Sequence, residues 1–336
     1  MMKPKKQLAV CLCSDANMIW QSLFALGRLI ALNDGPDVHF FLFHSASFDE
    51  RYRSAVPQGV TLIKQSAPVD GNRSEPGLPT LTSGHFLRLA ALEQLSEEFE
   101  RVVYFDSDIF ARWGSVAHLS LIEMADRPLA AVRDVSLWQG KPIGKHRDYH
   151  RSLPAKVRGN YFNSGMLLVN SDAFRLEEIG RRAATYWTEN PETCRFGDQS
   201  ALNRVVDGNW IELSPSWNWQ AILPYQPLIA SRNPRIVHFI GRNKPWVDPL
   251  AHQEEIYWYK MQLFLRENSL HDEIDAHRRG FRQPVEERKR FRVLRDLAGD
   301  VFETRKRLQH YFDRDDFADI SAGLQTYRTD DLTMDC

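Results

Sequence analysis

The chain has 336 residues, of which 43% are hydrophobic and 26% are charged. These values are ordinary for one large or two smaller globular domains, and they exclude a disordered, a collagenous and a multi-spanning membrane protein. Lysine and arginine number 43 against 44 aspartates and glutamates, so the net charge of −1 gives no reason to expect nucleic acid as a partner.

The localisation is predicted from the cysteines and the apolar runs. Four cysteines are too few for a disulfide framework, so a reducing compartment is expected. The apolar run at residues 8–13 is too short for a signal peptide, and no stretch approaches the roughly 20 apolar residues that span a bilayer. We therefore expect a cytoplasmic protein that is attached at most to the cytoplasmic face of a membrane.

Strands alternate with helices from the N-terminus onwards. Residues 8–13 predict a buried strand, residues 19–30 an amphipathic helix that Ser14 or Asp15 is expected to cap, and residues 38–43 a second strand. Further elements are predicted in order: strands at 60–64, 102–105, 129–132, 161–169, 210–213 and 236–239, and a helix at 86–95. This pattern predicts an α/β sandwich with its ligand at the carboxyl ends of the strands.

Two carboxylates stand directly after the predicted strand at 102–105. Asp106 and Asp108 are two residues apart, and such residues point the same way in an extended chain. Converging carboxylates form a site for a hard divalent cation. A second D-x-D, at Asp313 and Asp315, falls in a polar helical pattern and is interpreted as a solvent-exposed face.

A histidine, a glycine and a lysine follow one another in the last predicted strand and the loop after it. His238 lies in an apolar strand, where a histidine is more often a core residue than a metal ligand. Gly241 permits close approach of the backbone to a ligand, and Lys244 supplies a positive charge for phosphate. The spacing differs from a P-loop, and no G-x-G-x-x-G follows the first strand, which argues against a dinucleotide oxidoreductase.

Two more polar clusters have a functional and a structural interpretation. Asn163 opens the strand at 161–169, where the structural alternative is a bulge at Gly165. Asp198 and Gln199 begin an apolar helical stretch, where the structural alternative is an N-cap.

Taken together and in this order, these four segments resemble glycosyltransferase family 8, which contains bacterial lipopolysaccharide galactosyl- and glucosyltransferases and the glycogenins. The matching residues are Asp106-Ser-Asp108, Asn163-Ser-Gly165, Asp198-Gln199 with Leu202-Asn203, and His238-x-x-Gly241-x-x-Lys244-Pro245-Trp246. The resemblance implies a GT-A fold with a mixed sheet, as a nucleotide-sugar-binding catalytic domain at residues 1–268. The composition becomes charged and helical from about residue 269, which ends the predicted domain there and predicts a charged helical extension at residues 269–336.

The resemblance also implies a role for each candidate residue. Asp106, Asp108 and His238 would hold Mn²⁺, with Mg²⁺ as the alternative, and the metal would bridge the diphosphate of a UDP-sugar. The other implied contacts are Gly241 and Lys244 with the diphosphate, Asp15 and Asn17 with uridine, Arg88 with the donor phosphates and sugar, and Asp134, Asn163, Asp198 and Gln199 with the donor sugar. Met18 and Phe86 depart from the aromatic and the tyrosine that the family often carries at these positions.

The implied reaction retains the anomeric configuration of a transferred galactose or glucose. It can use a covalent glycosyl-enzyme intermediate or front-face attack, in which the leaving phosphate acts as the base. Gln199 is a poor nucleophile, so we favour the front-face route, with Gln199 stabilising the oxocarbenium-like state and Asp198 orienting hydroxyl groups. The expected acceptor is a glycan or lipid-linked glycan, such as lipopolysaccharide, and its surface is expected at residues 140–159 and on the C-terminal helices.

Three alternatives stay open. The D-x-D can belong to a phosphohydrolase with Asp106 as nucleophile and Asp108 as acid, or the chain can be a non-catalytic nucleotide-sugar binder. The basic cluster of the extension can pack as a solvated helix or contact an anionic membrane surface near a lipid-linked acceptor. This cluster comprises Arg278, Arg279, Arg282, Arg288, Lys289, Arg290, Arg292 and Arg295.

Overall fold

The computed structural model describes residues 4–35, 37–45, 48–70, 72, 83–138, 145–222, 225–241, 244–246, 255–273 and 301–318. Its strands are β1 (Lys6–Ser14), β2 (Val38–His44), β3 (Val60–Lys64), β4 (Phe99–Phe105), β5 (Ile109–Ala111), β6 (Leu129–Arg133), β7 (Phe162–Asn170), β8 (Trp210–Glu212), β9 (Trp219–Gln220) and β10 (Ile236–His238). Its α-helices are α1 (Ile19–Ala31), α2 (Leu87–Glu98), α3 (Lys145–Ser152), α4 (Ala155–Arg158), α5 (Ser171–Leu176), α6 (Ile179–Glu189), α7 (Asp198–Val206), α8 (Ile229–Arg232), α9 (Glu255–Glu267) and α10 (Val301–Phe312).

Seven of the strands form one mixed sheet in the order β3-β2-β1-β4-β7-β6-β8. Strand β1 pairs in parallel with β2 and β4, and β2 pairs in parallel with β3. Strand β7 runs antiparallel to both of its neighbours, β4 and β6, while β6 and β8 are parallel. The predicted parallel unit of β1, α1 and β2 and the predicted mixed sheet are confirmed.

The continuous apolar run of β1 reflects burial on both faces of the sheet. Val10 and Leu12 join the core on the side of α1, whereas Ala9 and Cys11 join the core on the side of α2. All four side chains are fully buried. Alternate residues of a strand point to opposite faces, so a strand covered by helices on both sides has no polar face.

The direction of β7 brings a polar segment to the functional edge of the sheet. The carboxyl ends of β1, β4 and β6 meet at one edge, where Asp15, Asp106 and Asp134 follow the three strands. Because β7 is antiparallel to β4 and β6, its amino end lies at this same edge. Asn163, at the beginning of β7, therefore lies among residues that follow the ends of other strands.

A second, three-stranded sheet has the order β5-β10-β9 and carries His238. Strand β10 is antiparallel to β5 and parallel to β9, with His238 opposite Ile109 and Gln220. The short strands β5 and β9 are absent from the sequence prediction, because two or three residues are too few for an alternating pattern.

The predicted cap of α1 is wrong. The helix begins after Met18, which makes no side-chain capping hydrogen bond. Asp15 lies further upstream and its Oδ1 accepts the backbone N–H of Asn17 at 2.9 Å, so this carboxylate shapes the turn between β1 and α1.

Part of the predicted C-terminal extension packs against the seven-stranded sheet. Tyr311 of α10 stacks on Trp138 with ring centroids 6.0 Å apart and donates its hydroxyl to Glu212 at 3.0 Å. Ala318 forms a parallel bridge with Leu213. The basic cluster lies outside the described residues, and the boundary at residue 268 stays a prediction. Within the described ranges, no helix has the length and hydropathy needed to cross a membrane.

Candidate active site

Asp106, Asp108 and His238 converge where β4 ends beside β10. One ligand atom from each lies within 4.8 Å of the others, and His238 and Asp108 are buried while Asp106 is partly exposed. His238 Nε2 is 3.1 Å from Asp108 Oδ1 and 3.6 Å from Asp106 Oδ2. Two carboxylates and one imidazole form a donor set that suits a divalent transition metal such as Mn²⁺, so these residues fit the implied ion.

The two aspartates have different supports. The hydroxyl of Tyr104 donates to Asp106 Oδ1 at 2.7 Å, whereas Lys244 Nζ donates to Asp108 Oδ2 and to the carbonyl of Phe239 at 2.6 Å. Burial raises the pKa of Asp108, but the interactions with Lys244 and His238 outweigh it and leave the pKa well below its ordinary value. Asp108 is therefore ionised throughout the physiological pH range.

The residue between the two aspartates anchors the D-x-D segment to the sheet. Ser107 Oγ donates to the carbonyl of Cys13 at 3.0 Å and accepts from Ser22 Oγ at 2.7 Å. This buried side chain points away from the two carboxylates and ties their turn to β1 and α1. The serine thus fixes the backbone from which both carboxylates project.

Arg88 of α2 connects the metal-binding candidates with Asp198. Its guanidinium is 3.2 Å from Asp106 Oδ1 and 2.5 Å from Asp198 Oδ2, and Nη1 donates to the carbonyl of Ser164 at 2.6 Å. Burial lowers the pKa of Arg88, but the carboxylates of Asp106 and Asp198 outweigh it and raise the pKa above its ordinary value. Burial also raises the pKa of Asp198, although Arg88 opposes this shift. Arg88 itself therefore stays protonated between the two carboxylates.

Asp134, Asn163 and Gln199 form a buried hydrogen-bonded group. Gln199 Oε1 accepts from Asn163 Nδ2 and from the backbone N–H of Ser164, both at 3.1 Å. Gln199 Nε2 donates to Asp134 Oδ2 at 3.2 Å. The start of α7, the amino end of β7 and the end of β6 therefore supply one buried polar group, which contains three of the residues that the family resemblance assigns to the donor sugar.

Gly165 occupies the point of closest approach between β7 and the metal cluster. A Cβ atom there would overlap the His238 ring and lie 2.9 Å from Asp106 Oδ2. The pairing of β6 with β7 also shifts register between Ala131 and Val132, opposite this segment. The strand irregularity of the structural interpretation is thus present, and the glycine also leaves room for the His238 ring.

Asp15, Asn17 and Gly241 lie at the edge of the site. Asp15 and Asn17 contact each other, and Asn17 is exposed. Gly241 has a φ of +85°, a conformation that L-residues rarely adopt, and a Cβ atom would meet no neighbour within 4 Å. None of the contacts given above joins these three residues to the metal cluster, so their roles toward uridine and diphosphate stay predictions.

Several polar residues of the site were not found from the sequence. Asn218 and Gln220 are fully buried on either side of Trp219. Gln220 Oε1 accepts the backbone N–H of Val135 at 2.8 Å, and its Nε2 donates to the carbonyl of Arg133 at 2.9 Å, so Gln220 fixes the turn that holds Asp134. The available signal was the spacing of the two amides, which places both on one face of an extended segment.

A second pair of unforeseen residues supports Asp134. Ser136 Oγ donates to Asp134 Oδ1 at 2.5 Å and lies 2.9 Å from Nε2 of His150, which is fully buried in α3. Helix α3 is thereby connected to the sugar-pocket candidates. It belongs to the segment at residues 140–159 in which an acceptor surface is expected.

A cavity of about 650 Å³ lies apart from this site, between α2 and α6. Its lining includes Leu89, Glu93 and Ala184 and none of the predicted site residues. Glu93 Oε1 accepts the backbone N–H of Arg181 at 3.2 Å, which gives this carboxylate a structural role at the start of α6.

Comparison with known proteins gives a consistent result. The sequence profile described as "Glycosyl transferase family 8" matches residues 36–249. The chain is 26% identical over 248 residues to the lipopolysaccharide glucosyltransferase WaaO of Escherichia coli strain K12, with 70% of this chain and 71% of WaaO covered. It is 24% identical over 247 residues to a lipopolysaccharide 1,3-galactosyltransferase of Salmonella typhimurium strain LT2, covering 69% of this chain and 71% of the relative. Other relatives are longer, and the match spans 42% of the glycosyltransferase GlyF of Streptococcus pneumoniae.

Solved structures share the fold at lower identity. The galactosyltransferase LgtC, in complex with donor and acceptor sugar analogs, has a TM-score of 0.57 and 19% identity, with 77% of this chain and 99% of LgtC covered. The bifunctional glycosyltransferase WbbM in its apo form has a TM-score of 0.60 and 16% identity, with 82% of this chain and 52% of WbbM covered. These matches confirm the GT-A fold.

Proposed function

The chain belongs to glycosyltransferase family 8, and we propose that it is a retaining hexosyltransferase that moves galactose or glucose from a UDP-sugar to an acceptor hydroxyl. One observation carries this proposal. The cluster of Asp106, Asp108 and His238 stands beside the buried hydrogen-bonded group of Asp134, Asn163 and Gln199 at the carboxyl edge of the sheet. A site for a cation and its diphosphate thus adjoins a site of hydrogen-bonding groups suited to sugar hydroxyls.

Mn²⁺ is the proposed cofactor, with Mg²⁺ as the alternative, and Asp106, Asp108 and His238 would hold it. When bound, the metal supplies positive charge that stabilises the diphosphate as it departs. Lys244 now pairs with Asp108 and would turn toward the diphosphate, because a cation at Asp108 repels its ammonium. Gly241 leaves the adjacent backbone open to the same phosphates.

Arg88 and Gln199 suit a front-face reaction. In this route the bond between the anomeric carbon and the phosphate oxygen breaks, the acceptor oxygen bonds to the same face, and its proton passes to the leaving phosphate. Gln199 is uncharged, and its Oε1 already accepts two N–H groups. The Asp198 carboxylate is paired with Arg88, so neither side chain is a ready nucleophile. A trapped sugar ester on Asp198 would overturn this route.

The proposed acceptor is a glycan or a lipid-linked glycan. The named activities of the relatives, lipopolysaccharide glucosyl and 1,3-galactosyl transfer, support a surface-glycan acceptor for this chain. We place the acceptor near α3, because Ser136 and His150 connect this helix with Asp134. A cytoplasmic enzyme that touches an anionic membrane through its basic cluster would meet a lipid-linked acceptor directly.

The phosphohydrolase and the non-catalytic binder are less well supported. A phosphohydrolase needs Asp106 as an accessible nucleophile, whereas its Oδ1 accepts from Tyr104 and contacts Arg88. No residue of the site favours a non-catalytic binder, since the positions predicted for the metal, the phosphates and the sugar all carry residue types that suit those roles.

The proposal is tested by measuring UDP release from a panel of UDP-sugars, with Mn²⁺ and with EDTA. We expect slow hydrolysis of one donor, lost in EDTA and in His238→Ala. Failure of every UDP-sugar to bind or react would overturn the proposed function, and the assignment of Asp15 and Asn17 to uridine would fall first.

The metal assignment has a matched pair of variants, since the chain contains two D-x-D sequences. Asp108→Asn is expected to abolish metal-dependent transfer, because it removes a buried anionic ligand. Asp315→Asn, in the exposed second copy, is expected to leave transfer unchanged. Equal effects of the two substitutions on the rate of UDP release would contradict the assignment.

A further inference from the structure

Asn218 lies between the metal-binding candidates and the sugar pocket. It is fully buried and directly precedes β9. Its Oδ1 is 2.9 Å from His238 Nδ1, and its Nδ2 donates to Asn163 Oδ1, also at 2.9 Å. The same Asn163 contacts Gln199, so a continuous series of hydrogen bonds runs from His238 to Asp134.

The backbone of β7 determines the direction of these hydrogen bonds. The N–H of Gly165 donates to Asn163 at 3.0 Å, which identifies the accepting atom of Asn163 as its carbonyl oxygen. The Asn218 atom facing that oxygen must then be the NH₂ group, which leaves the Asn218 oxygen facing His238. An oxygen needs a donor, so Nδ1 of His238 carries the hydrogen.

We propose that Asn218 is a positioning residue that orients His238 so that Nε2 faces Asp106 and Asp108, and that joins this orientation to the donor-sugar pocket through Asn163. With Nδ1 engaged as a donor, Nε2 is the ring nitrogen that remains for a cation. The inference rests on the proposed function, since it concerns the same metal and the same donor sugar.

The two hydrogen bonds of Asn218 can be separated by substitution. Asn218→Ala removes both of them. Asn218→Asp keeps an oxygen acceptor for His238 Nδ1 but places an oxygen against Asn163 Oδ1, so only the connection to the sugar pocket is lost. Asn209→Ala, a half-buried asparagine remote from the site that pairs with Arg127, is the matched control.

The experiment measures Mn²⁺ binding in the presence of UDP, from the electron paramagnetic resonance signal of unbound Mn²⁺, together with kcat and KM for release of UDP from the donor. We expect Asn218→Ala to weaken Mn²⁺ binding by about 10–100-fold, as loss of a hydrogen-bond partner of a histidine ligand does elsewhere. Asn218→Asp should bind Mn²⁺ within about threefold of the unsubstituted protein, because a carboxylate also fixes the ligand histidine. Its kcat should fall at least tenfold, while Asn209→Ala changes neither quantity.

A structural role alone predicts a different result, in which both variants lower the melting temperature and Mn²⁺ affinity follows stability in each. That result, or a folded Asn218→Ala that binds Mn²⁺ normally, would overturn the inference. If the unsubstituted protein bound no Mn²⁺ with UDP, the inference would fail. If it also released no UDP from any donor, the proposed function would fail with it.

Discussion

At the scale of single residues, Gly165 most strongly limits the space around the metal cluster. Its Cα faces His238 Nδ1, which an added Cβ would approach to 2.6 Å. We expect Gly165→Ala to displace the imidazole and weaken Mn²⁺ binding in the presence of UDP by about 10–100-fold. Calorimetric titration of Mn²⁺ into the UDP complex measures this loss.

A second glycine provides the control for this prediction. A Cβ at Gly27, in α1, would meet only Pro57 at 3.7 Å, which is an ordinary contact. Gly27→Ala is expected to keep normal binding and to stabilise the helix by about 0.5–1 kcal/mol. Equal metal affinity in the two variants would show that Gly165 does not limit the position of His238.

At the scale of residues, the sequence was informative where the chemistry of a site requires a particular type of residue. Asp106 and Asp108 were paired on this basis, the family resemblance added His238, and the structure brings the ligand atoms of all three together. Asn218 and Gln220 were not found, because buried amides serve many structural purposes and their partners lie far away in the chain. Contacts of this kind depend on which strands become neighbours.

At the scale of elements, α10 is held by aromatic packing against the Trp138 ring. Tyr311 is 7% exposed, and its neighbour Phe312 contacts both Trp138 and Trp219. We expect Tyr311→Ala to lower the free energy of unfolding by about 3 kcal/mol, measured by urea denaturation. Tyr259→Ala, at a 48% exposed position of α9, should change it by no more than about 0.5 kcal/mol. Similar losses in both variants would show that α10 is not anchored by this contact.

The segment after α9 is connected to the N-terminal half through Tyr52. Its hydroxyl donates to Glu273 Oε1 at 2.8 Å. Burial and this carboxylate raise the pKa of Tyr52 to about 12, from an ordinary value of 10.0. Between these two pH values the unfolded chain loses the phenolic proton first, so the stabilisation by Tyr52 is complete below pH 10 and disappears as the pH rises through 12.

This connection predicts the pH dependence of one variant. Tyr52→Phe should lower the free energy of unfolding by about 0.5–1.5 kcal/mol at pH 8, because one partly buried hydrogen bond is lost. The difference from the unsubstituted protein should shrink between pH 10 and pH 11.5 in urea denaturation. A constant difference over this range would contradict the link to Glu273.

Element positions were predicted well where periodicity extends over many residues. Strand β3 was predicted at residues 60–64 and is observed at Val60–Lys64, whereas the helical start at Ser14 or Asp15 was wrong. The aspartate serves the turn instead of the helix, and a single capping residue cannot distinguish the two.

At the scale of the whole molecule, the basic cluster governs the proposed contact with a membrane. Deleting the residues after Asn268 is a poor test of this contact, because the deletion would also remove Leu308 and Tyr311, which are buried in the main core. Substitution of Arg288, Lys289, Arg290 and Arg292 by serine tests the charge alone. We expect binding to vesicles with anionic lipid to fall at least tenfold, since each basic residue contributes about 1 kcal/mol near such a surface. Unchanged sedimentation with these vesicles would exclude the membrane role.

The mixed sheet was predictable as a class, but its strand order was not. Alternation of strands and helices indicates the α/β class, whereas the place of β7 beside β4 depends on a pairing across more than sixty residues of sequence. The location of the site follows from that antiparallel strand, which explains why family resemblance was needed to bring Asn163 to the D-x-D.

The docking of α10 has a consequence for synthesis on the ribosome. Trp138 and Trp219 emerge long before Tyr311 and Phe312, which pack against them. At translation rates of about 5–20 residues per second, roughly 10–35 s pass between the synthesis of Trp138 and that of Tyr311. The Trp138 ring lacks its contacts with α10 during this time. A stop codon placed between residues 268 and 300 should therefore yield a chain that chaperones retain, even though every predicted catalytic residue is already present.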